Sequence, residues 1–258
     1  MNKFNQNLQK VTYVKHWSEN LFSFRIKRPK SFKFRSGEFV MIGLPDQNNK
    51  PILRAYSIAS PSWSEELEFY SIIVKDGPLT FKLKNIQIND EIILMPKSTG
   101  TLVLDALKPG KRLFLFSSGT GFAPFASLIR EPETYEKYNK VIVTHTCRTV
   151  KELDYSKNIL NECSSDELIK DFILNKLITF HSTTREDYEN TGRITDLINN
   201  ETIFKKLNIK KISSDDKFMF CGSMGLNNDL KSILIKLNFK EGANNNPADF
   251  VLEKAFVG

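Results

Sequence analysis

The chain has 258 residues, 40% hydrophobic and 26% charged, a balance that excludes disordered, collagen-like and disulfide-stapled proteins. That length allows one large domain or two ordinary ones. With 37 Lys and Arg against 30 Asp and Glu the net charge is +7, which favours anionic partners without choosing among phosphates, nucleic acid and acidic proteins.

Residues 1–17 mix Lys, Asn and Gln with isolated apolar side chains and show no apolar h-region, so neither export nor a membrane span is expected. From about Lys10 to Met95 short alternating runs rich in β-branched and aromatic residues predict strands at 21–26, 38–44, 55–59, 67–74 and 91–95. Gly, Pro, Asn or Asp punctuates nearly every gap, so this half reads as an antiparallel barrel or sandwich. From Lys111 the rhythm changes to strand, helix, strand. Strands are predicted at 112–117, 140–146, 177–182, 217–221 and 250–256, with helical patterns at 125–130, 166–174 and 226–237. That alternation predicts a parallel sheet covered by helices on both faces. Pro109-Gly110 interrupts both patterns, and the division is set at 1–103 and 104–258.

The first parallel strand runs directly into Ser117-Ser118-Gly119-Thr120-Gly121-Phe122-Ala123-Pro124. Gly119 and Gly121 suit a tight turn that brings backbone close to a pyrophosphate, ahead of a helix whose N–H groups face it. Pro124 replaces the third glycine of the usual dinucleotide fingerprint and suits the first turn of a helix. Arg148, Arg185 and Arg193 recur where strands of this sheet end, which is where ligands sit in open parallel sheets. An NAD-binding protein commonly has a carboxylate after the second strand, whereas a 2′-phosphate calls for arginine; here the position holds Cys147-Arg148. Glu152 and Asp154 read as a solvated helix face.

In the first half, Arg54-Ala55-Tyr56-Ser57 is expected to open a strand, with Arg54 and Tyr56 on one face and Ser57 on the other. A guanidinium matches a pyrophosphate bidentately, and a phenol ring offers a surface to a flat aromatic ligand. Gly77-Pro78-Leu79-Thr80 follows a strand and leads into a short helix that could meet a phosphate. Cys221-Gly222-Ser223-Met224 ends the fourth parallel strand and enters a helix, and an apolar Ala255-Phe256-Val257-Gly258 follows the last strand. The three cysteines, Cys147, Cys163 and Cys221, lack CxxC spacing, so no disulfide framework and no metal site is expected, and the thiols point to a reducing cytoplasm. His16, His145 and His181 are scattered, and packing roles are expected for those in strands.

Taken in order, Arg-x-Tyr-Ser, the Gly-x-x-Thr turn, Gly-Thr-Gly-x-Ala-Pro, Cys-Gly-Ser and the Ala-Phe-Val ending resemble the ferredoxin-NADP(+) reductase family, and its bacterial members most. The resemblance implies a six-stranded antiparallel FAD barrel joined to a five-stranded parallel NADP domain. It also implies hydride exchange with NADPH and single-electron exchange with ferredoxin or flavodoxin. Carried over, Arg54 with Ala55 would hold the FAD pyrophosphate, Tyr56 would stack on the isoalloxazine and Ser57 would bond near its N5. Ser71, Val74 and Gly77, Pro78, Leu79 and Thr80 would line the flavin and its phosphates. Gly119, Thr120 and Gly121 would meet the nicotinamide side, Arg148, Thr184, Arg185 and Arg193 the 2′-phosphate, and Met224 is counted among the cofactor-binding residues. Ser57, Cys221 and Ala255 are the expected catalytic positions, with Phe256 beside the far face of the FAD. A soluble cytoplasmic monomer is expected, with no nucleic acid or membrane partner. The alternatives are a flavin reductase or oxygenase reductase component with the same two domains, and a basic α/β binding protein without activity.

Overall fold

The computed structural model describes residues 7–48 and 50–254. Six strands, β1 (Leu8–His16), β2 (Leu21–Lys27), β3 (Phe39–Pro45), β4 (Pro51–Ser57), β5 (Glu66–Ile72) and β6 (Glu91–Thr99), form an antiparallel sheet in the order β4-β3-β6-β1-β2-β5. The two edges meet where Ile58, just past β4, bridges Phe69 of β5 and the Ala59 N–H bonds the Glu68 carbonyl at 2.8 Å. This closes the sheet into a barrel, and closure removes the unpaired edge that a flat sheet would present. Alternate side chains fill the interior: Phe22, Phe24, Ile26, Val40, Ile42 and Phe69 are fully buried. A single short helix, α1 (Thr80–Leu83), lies between β5 and β6.

The second half is a parallel sheet of β7 (Arg112–Ser118), β8 (Lys140–Cys147), β9 (Leu177–Thr183), β10 (Asp216–Gly222) and β11 (Phe250–Lys254) in the order β11-β10-β7-β8-β9. Its strands read as continuous apolar runs because both faces are covered. On one side lie α2 (Ala123–Leu128), α3 (Pro132–Lys137), α4 (Asp154–Ser165) and α5 (Lys170–Lys176), and on the other α6 (Ile194–Asn199), α7 (Thr202–Lys206) and α8 (Met224–Lys236). β10 lies between β7 and β11, so the order reverses at β7, and the carboxyl ends of β7, β8 and β10 open onto a crevice there.

Several elements differ from the sequence expectation. Arg54–Ser57 closes β4 instead of opening it, because the strand begins at Pro51. Proline is tolerated there since β4 is the outermost strand of the sheet order. The helix expected at 166–174 starts at Lys170, and the helix face expected at Glu152 and Asp154 extends as α4 to Ser165.

The two halves share a core in which Trp17, Leu21, Ala59 and Tyr70 of the barrel pack with Phe122, Tyr155 and Cys163 of the α/β half. Tyr70 stacks on Tyr155 with centroids 4.0 Å apart. Polar bonds cross the same boundary: Ser127 Oγ donates to the Ser60 carbonyl at 2.7 Å, and the Glu131 carboxylate accepts from the hydroxyls of Ser36 and Ser62.

Candidate functional site

A cavity of about 420 Å³ opens where the barrel meets the parallel sheet. Most of its wall comes from the sequence motifs: Arg54–Ser57, then Ser71 and Val74, then the Gly77–Thr80 turn, with Thr120 entering from the second half. All four residues of Arg54–Ser57 face it, not one face of the strand alone, since β4 is an outer strand and the cavity wraps its edge.

Arg54 is exposed and its Nη1 donates to the Leu53 carbonyl at 2.8 Å, leaving the other guanidinium N–H groups without a partner among the described residues. Tyr56 is 9% exposed, and its ring meets Phe69 edge-on. Its hydroxyl lies 2.9 Å from that of Ser71. Burial pushes the phenol up to about 12, with the Ser71 bond and Arg54 opposing, so it stays neutral. The turn after β5 closes on itself: Val74 N–H donates to Thr80 Oγ1 at 3.2 Å, and Gly77 N–H to the Val74 carbonyl at 3.0 Å. The Thr80 hydroxyl proton remains available to a ligand. A Cβ on Gly77 would come within 2.5 Å of Thr80 Oγ1, so a side chain there would push the Thr80 hydroxyl from its place.

In the second half, Gly119 has φ +52° and Gly121 packs on β10 so closely that a Cβ would lie 2.1 Å from the Cys221 carbonyl oxygen. Thr120 between them faces the cavity. The helix anticipated after this turn is a single 3-10 turn over Gly119–Phe122 followed by α2, with Pro124 in its first turn.

Arg148, Arg185 and Arg193 are exposed and stand together at the ends of β8 and β9. The backbone laces them: Thr184 N–H donates to the Cys147 carbonyl at 3.0 Å, Arg185 N–H to the Arg148 carbonyl at 2.9 Å, and Gly192 N–H to the Thr183 carbonyl at 2.8 Å. Among the described residues none of the three arginines makes an ion pair. Glu152 lies in the helical turn Lys151–Leu153 ahead of α4, and its carboxylate accepts from Arg148 N–H at 2.8 Å. Asp154 opens α4 and pairs with Lys151.

Cys221 is placed differently from its expected catalytic position. Its side chain is fully buried in the shared core, outside the cavity wall, and burial holds the thiol well above its ordinary range. Met224 is exposed at the start of α8, beyond β10. Ala255 and Phe256 lie outside the described residues.

Sequence reasoning missed Phe39, Tyr70, Ile72, Ala123 and Glu253 in the cavity wall. The Tyr70 hydroxyl is buried without a hydrogen-bond partner among the described residues. Glu253, on β11, accepts from Thr101 N–H at 2.5 Å. Burial raises its carboxyl to about 7, against the Thr101 and Leu102 N–H bonds that lower it.

An apolar slot with a guanidinium, hydroxyls and a glycine cradle at one end suits a flat aromatic ligand carrying phosphates. The fold and cavity define the two-domain class in which an FAD-binding barrel is joined to a nucleotide-binding parallel sheet. Residues 6–103 match the oxidoreductase FAD-binding domain family. The chain is 54% identical over 251 residues to the flavodoxin/ferredoxin–NADP reductase of Rhodobacter capsulatus, spanning 97% of this chain and 93% of that one. It is 42% identical to the ferredoxin–NADP reductase of Azotobacter vinelandii, over 98% of both. The ferredoxin NADP+ reductase of Neisseria gonorrhoeae, solved with bound FAD and NADP, is similar with a TM-score of 0.86 at 28% identity, over 96% of this chain and 98% of that one. The chain belongs to the ferredoxin/flavodoxin–NADP reductase family. Among the described residues no cluster of His, Cys, Asp and Glu could hold a metal, and no helix is long and apolar enough to cross a membrane.

Proposed function

We propose that the protein is an FAD-dependent ferredoxin (flavodoxin)–NADP(+) reductase, with its flavin domain over 1–103 and its NADP domain over 104–258. The observation that carries this reading is the cavity itself, where Arg54–Ser57 and Gly77–Thr80 of the barrel face Thr120 and Glu253 of the parallel sheet. Bound FAD supplies hydride exchange with NADPH and single-electron exchange with a carrier protein, while side chains orient and tune it.

Arg54 pairs with the pyrophosphate, and Thr80 gives its free hydroxyl proton to a phosphate oxygen. Tyr56, held neutral and anchored through Ser71, offers its ring to the isoalloxazine, and Ser57 bonds near N5. Ser71, Val74, Pro78 and Leu79 exclude water from the flavin. Thr120, between two glycines that fix its backbone, meets the nicotinamide side. Glu253 holds or releases a proton at the cavity wall near neutral pH. Arg148, Arg185 and Arg193, with Thr184, meet the 2′-phosphate. Cys221 supports the turn from behind through its carbonyl, in place of the thiol role expected from the family pattern. Ala255 and Phe256, outside the described residues, would meet the far side of the flavin as the family resemblance implies.

The net charge of +7 suits an acidic carrier, ferredoxin or flavodoxin, met by a cytoplasmic monomer. The test is reduction of purified ferredoxin and flavodoxin by NADPH with the yellow purified protein. Rapid reduction of either carrier supports the assignment. NADPH-dependent reduction of free flavin with neither carrier reduced would transfer it to the flavin-reductase class.

A further inference from the structure

Electron transfer leaves the histidines unused, yet two of them form a buried chain directly behind the Gly119–Gly121 turn. His145 on β8 is 1% exposed, and its Nε2 lies 2.8 Å from the Gly119 carbonyl oxygen. A carbonyl only accepts, so the His145 proton sits on Nε2 and is donated to Gly119. Its Nδ1 is then an acceptor, 2.8 Å from Ser156 Oγ. The Ser156 proton points there, shared with the Leu153 carbonyl at 2.9 Å. The Ser156 oxygen in turn faces His181 Nε2 at 3.0 Å, which makes His181 the donor of that bond. Burial, with His181 adding to it, pushes His145 down to about 3, and burial pushes His181 down to about 4. Both rings are therefore neutral near pH 7, and the His145 Nε2 that faces Gly119 also lies 3.2 Å from Cys147 Sγ.

Both ends of this chain reach the nucleotide side of the molecule. At one end Gly119, in the left-handed region, precedes Thr120 at the cavity wall, and the His145 ring stacks on Phe122 at 4.9 Å. At the other, the His181 carbonyl accepts from Asn190 Nδ2 at 3.0 Å. Asn190 lies in the loop that carries Arg185 and returns to Arg193.

We propose that His145 is a positioning residue for the nicotinamide nucleotide: its Nε2–H fixes the Gly119 carbonyl, sets Thr120 against the cavity, and through Ser156 and His181 keeps that turn aligned with the Arg185 loop. This rests on the reading of the second sheet as the NADP domain. A turn that loses the bond to the Gly119 carbonyl samples other φ values at Gly119, since glycine populates both halves of φ, and the nucleotide must then reorder it on binding.

The test compares His145→Phe, which keeps a ring against Phe122 but has no N–H, with His145→Gln, which returns an N–H donor at similar reach. The readouts are the NADP+ dissociation constant, from the flavin difference spectrum, and the rate of flavin reduction by NADPH. Reoxidation of the chemically reduced protein by ferricyanide involves no nucleotide and serves as control. H145F should weaken NADP+ binding five- to tenfold and slow flavin reduction while leaving FAD absorbance and the control in place, and H145Q should recover most of the loss. Ser156→Ala should weaken binding in the same direction by a smaller factor. NADP+ binding by H145F equal to that of the parent would overturn the proposal, as would H145Q and H145F losing FAD and the control reaction together, which marks a packing residue. A parent protein that binds FAD but no NADP+ would overturn the NADP-domain reading and this proposal with it.

Discussion

The Arg130 guanidinium, just past α2, lies 3.3 Å from the Glu68 carboxylate on β5, and both side chains are nearly withdrawn from solvent. The same Arg130 nitrogen donates to the Ala59 carbonyl at 2.6 Å, and the Tyr155 hydroxyl donates to the other Glu68 oxygen at 3.2 Å. This pair joins the barrel to the parallel-sheet half. Removing Arg130 leaves the buried Glu68 carboxylate facing only Arg25, 3.7 Å away and a third exposed, at a cost of up to about 3 kcal/mol. Arg130→Met should therefore lower the unfolding free energy measured by urea titration by up to that amount, and adding Glu68→Gln should restore a large part. A double variant no more stable than R130M would show that packing of the arginine stem, not the charge, sets the loss.

The two glycines of the cavity turn should respond differently to alanine. At Gly121 the new Cβ would meet the Cys221 carbonyl at 2.1 Å, so β10 or the turn must move. At Gly119 nothing lies within 4 Å, and only the φ of +52° opposes a side chain, a strain of about 1 to 2 kcal/mol. G119A should fold with a modest loss in thermal stability; G121A should lose more and also weaken NADP+ binding. Paired melting curves and NADP+ titrations measure both.

Glu253 makes stability depend on pH. Its folded-state value, about 7, is raised above that of an ordinary carboxyl, so the folded protein holds this proton more tightly than the unfolded chain. Below the ordinary carboxyl value both states are protonated and the group adds no slope. As pH rises from there through 7 the charge is forced into the buried site and stability falls. Between about pH 5 and pH 8 the difference in urea midpoint between Glu253→Gln and the parent should therefore grow in favour of the variant. A constant difference across that window would mean the carboxyl titrates elsewhere.

Nucleotide preference should follow Arg185. A hydrogen bond to a charged group contributes about 1.5 to 3 kcal/mol, which at about 1.4 kcal/mol per decade is roughly ten- to a hundredfold. Arg185→Ala should raise KM for NADPH by about that factor while changing KM for NADH little. Equal losses with both nucleotides would place Arg185 on the shared diphosphate or in the fold.

Much of this site was legible because it is built from local motifs. Arg54–Ser57, Gly77–Thr80 and Gly119–Gly121 each carry their geometry within a few residues, so the turn chemistry shows in the sequence. Glu253 carries no such signal: it is one carboxylate in an apolar strand, and only the placing of β11 beside β10 brings it to Thr101. The length of α4 beyond Asp154 did not show in the sequence because its buried residues, Tyr155, Ile159 and Cys163, form a sparse stripe among polar ones. Cys221 was misplaced because position at a strand end indicates proximity to the crevice but not which way the side chain points.

The cavity wall also has an order in time. Its lining begins at Phe39 and is not complete until Glu253, while β10 enters the sheet next to β7 only after β8 and β9 have been made. On the ribosome, the barrel residues emerge first, and β7 waits with one bare edge until Asp216–Gly222 follows. A nascent chain halted before β11 would carry every motif of the barrel around a cleft still open on the side that Glu253 closes.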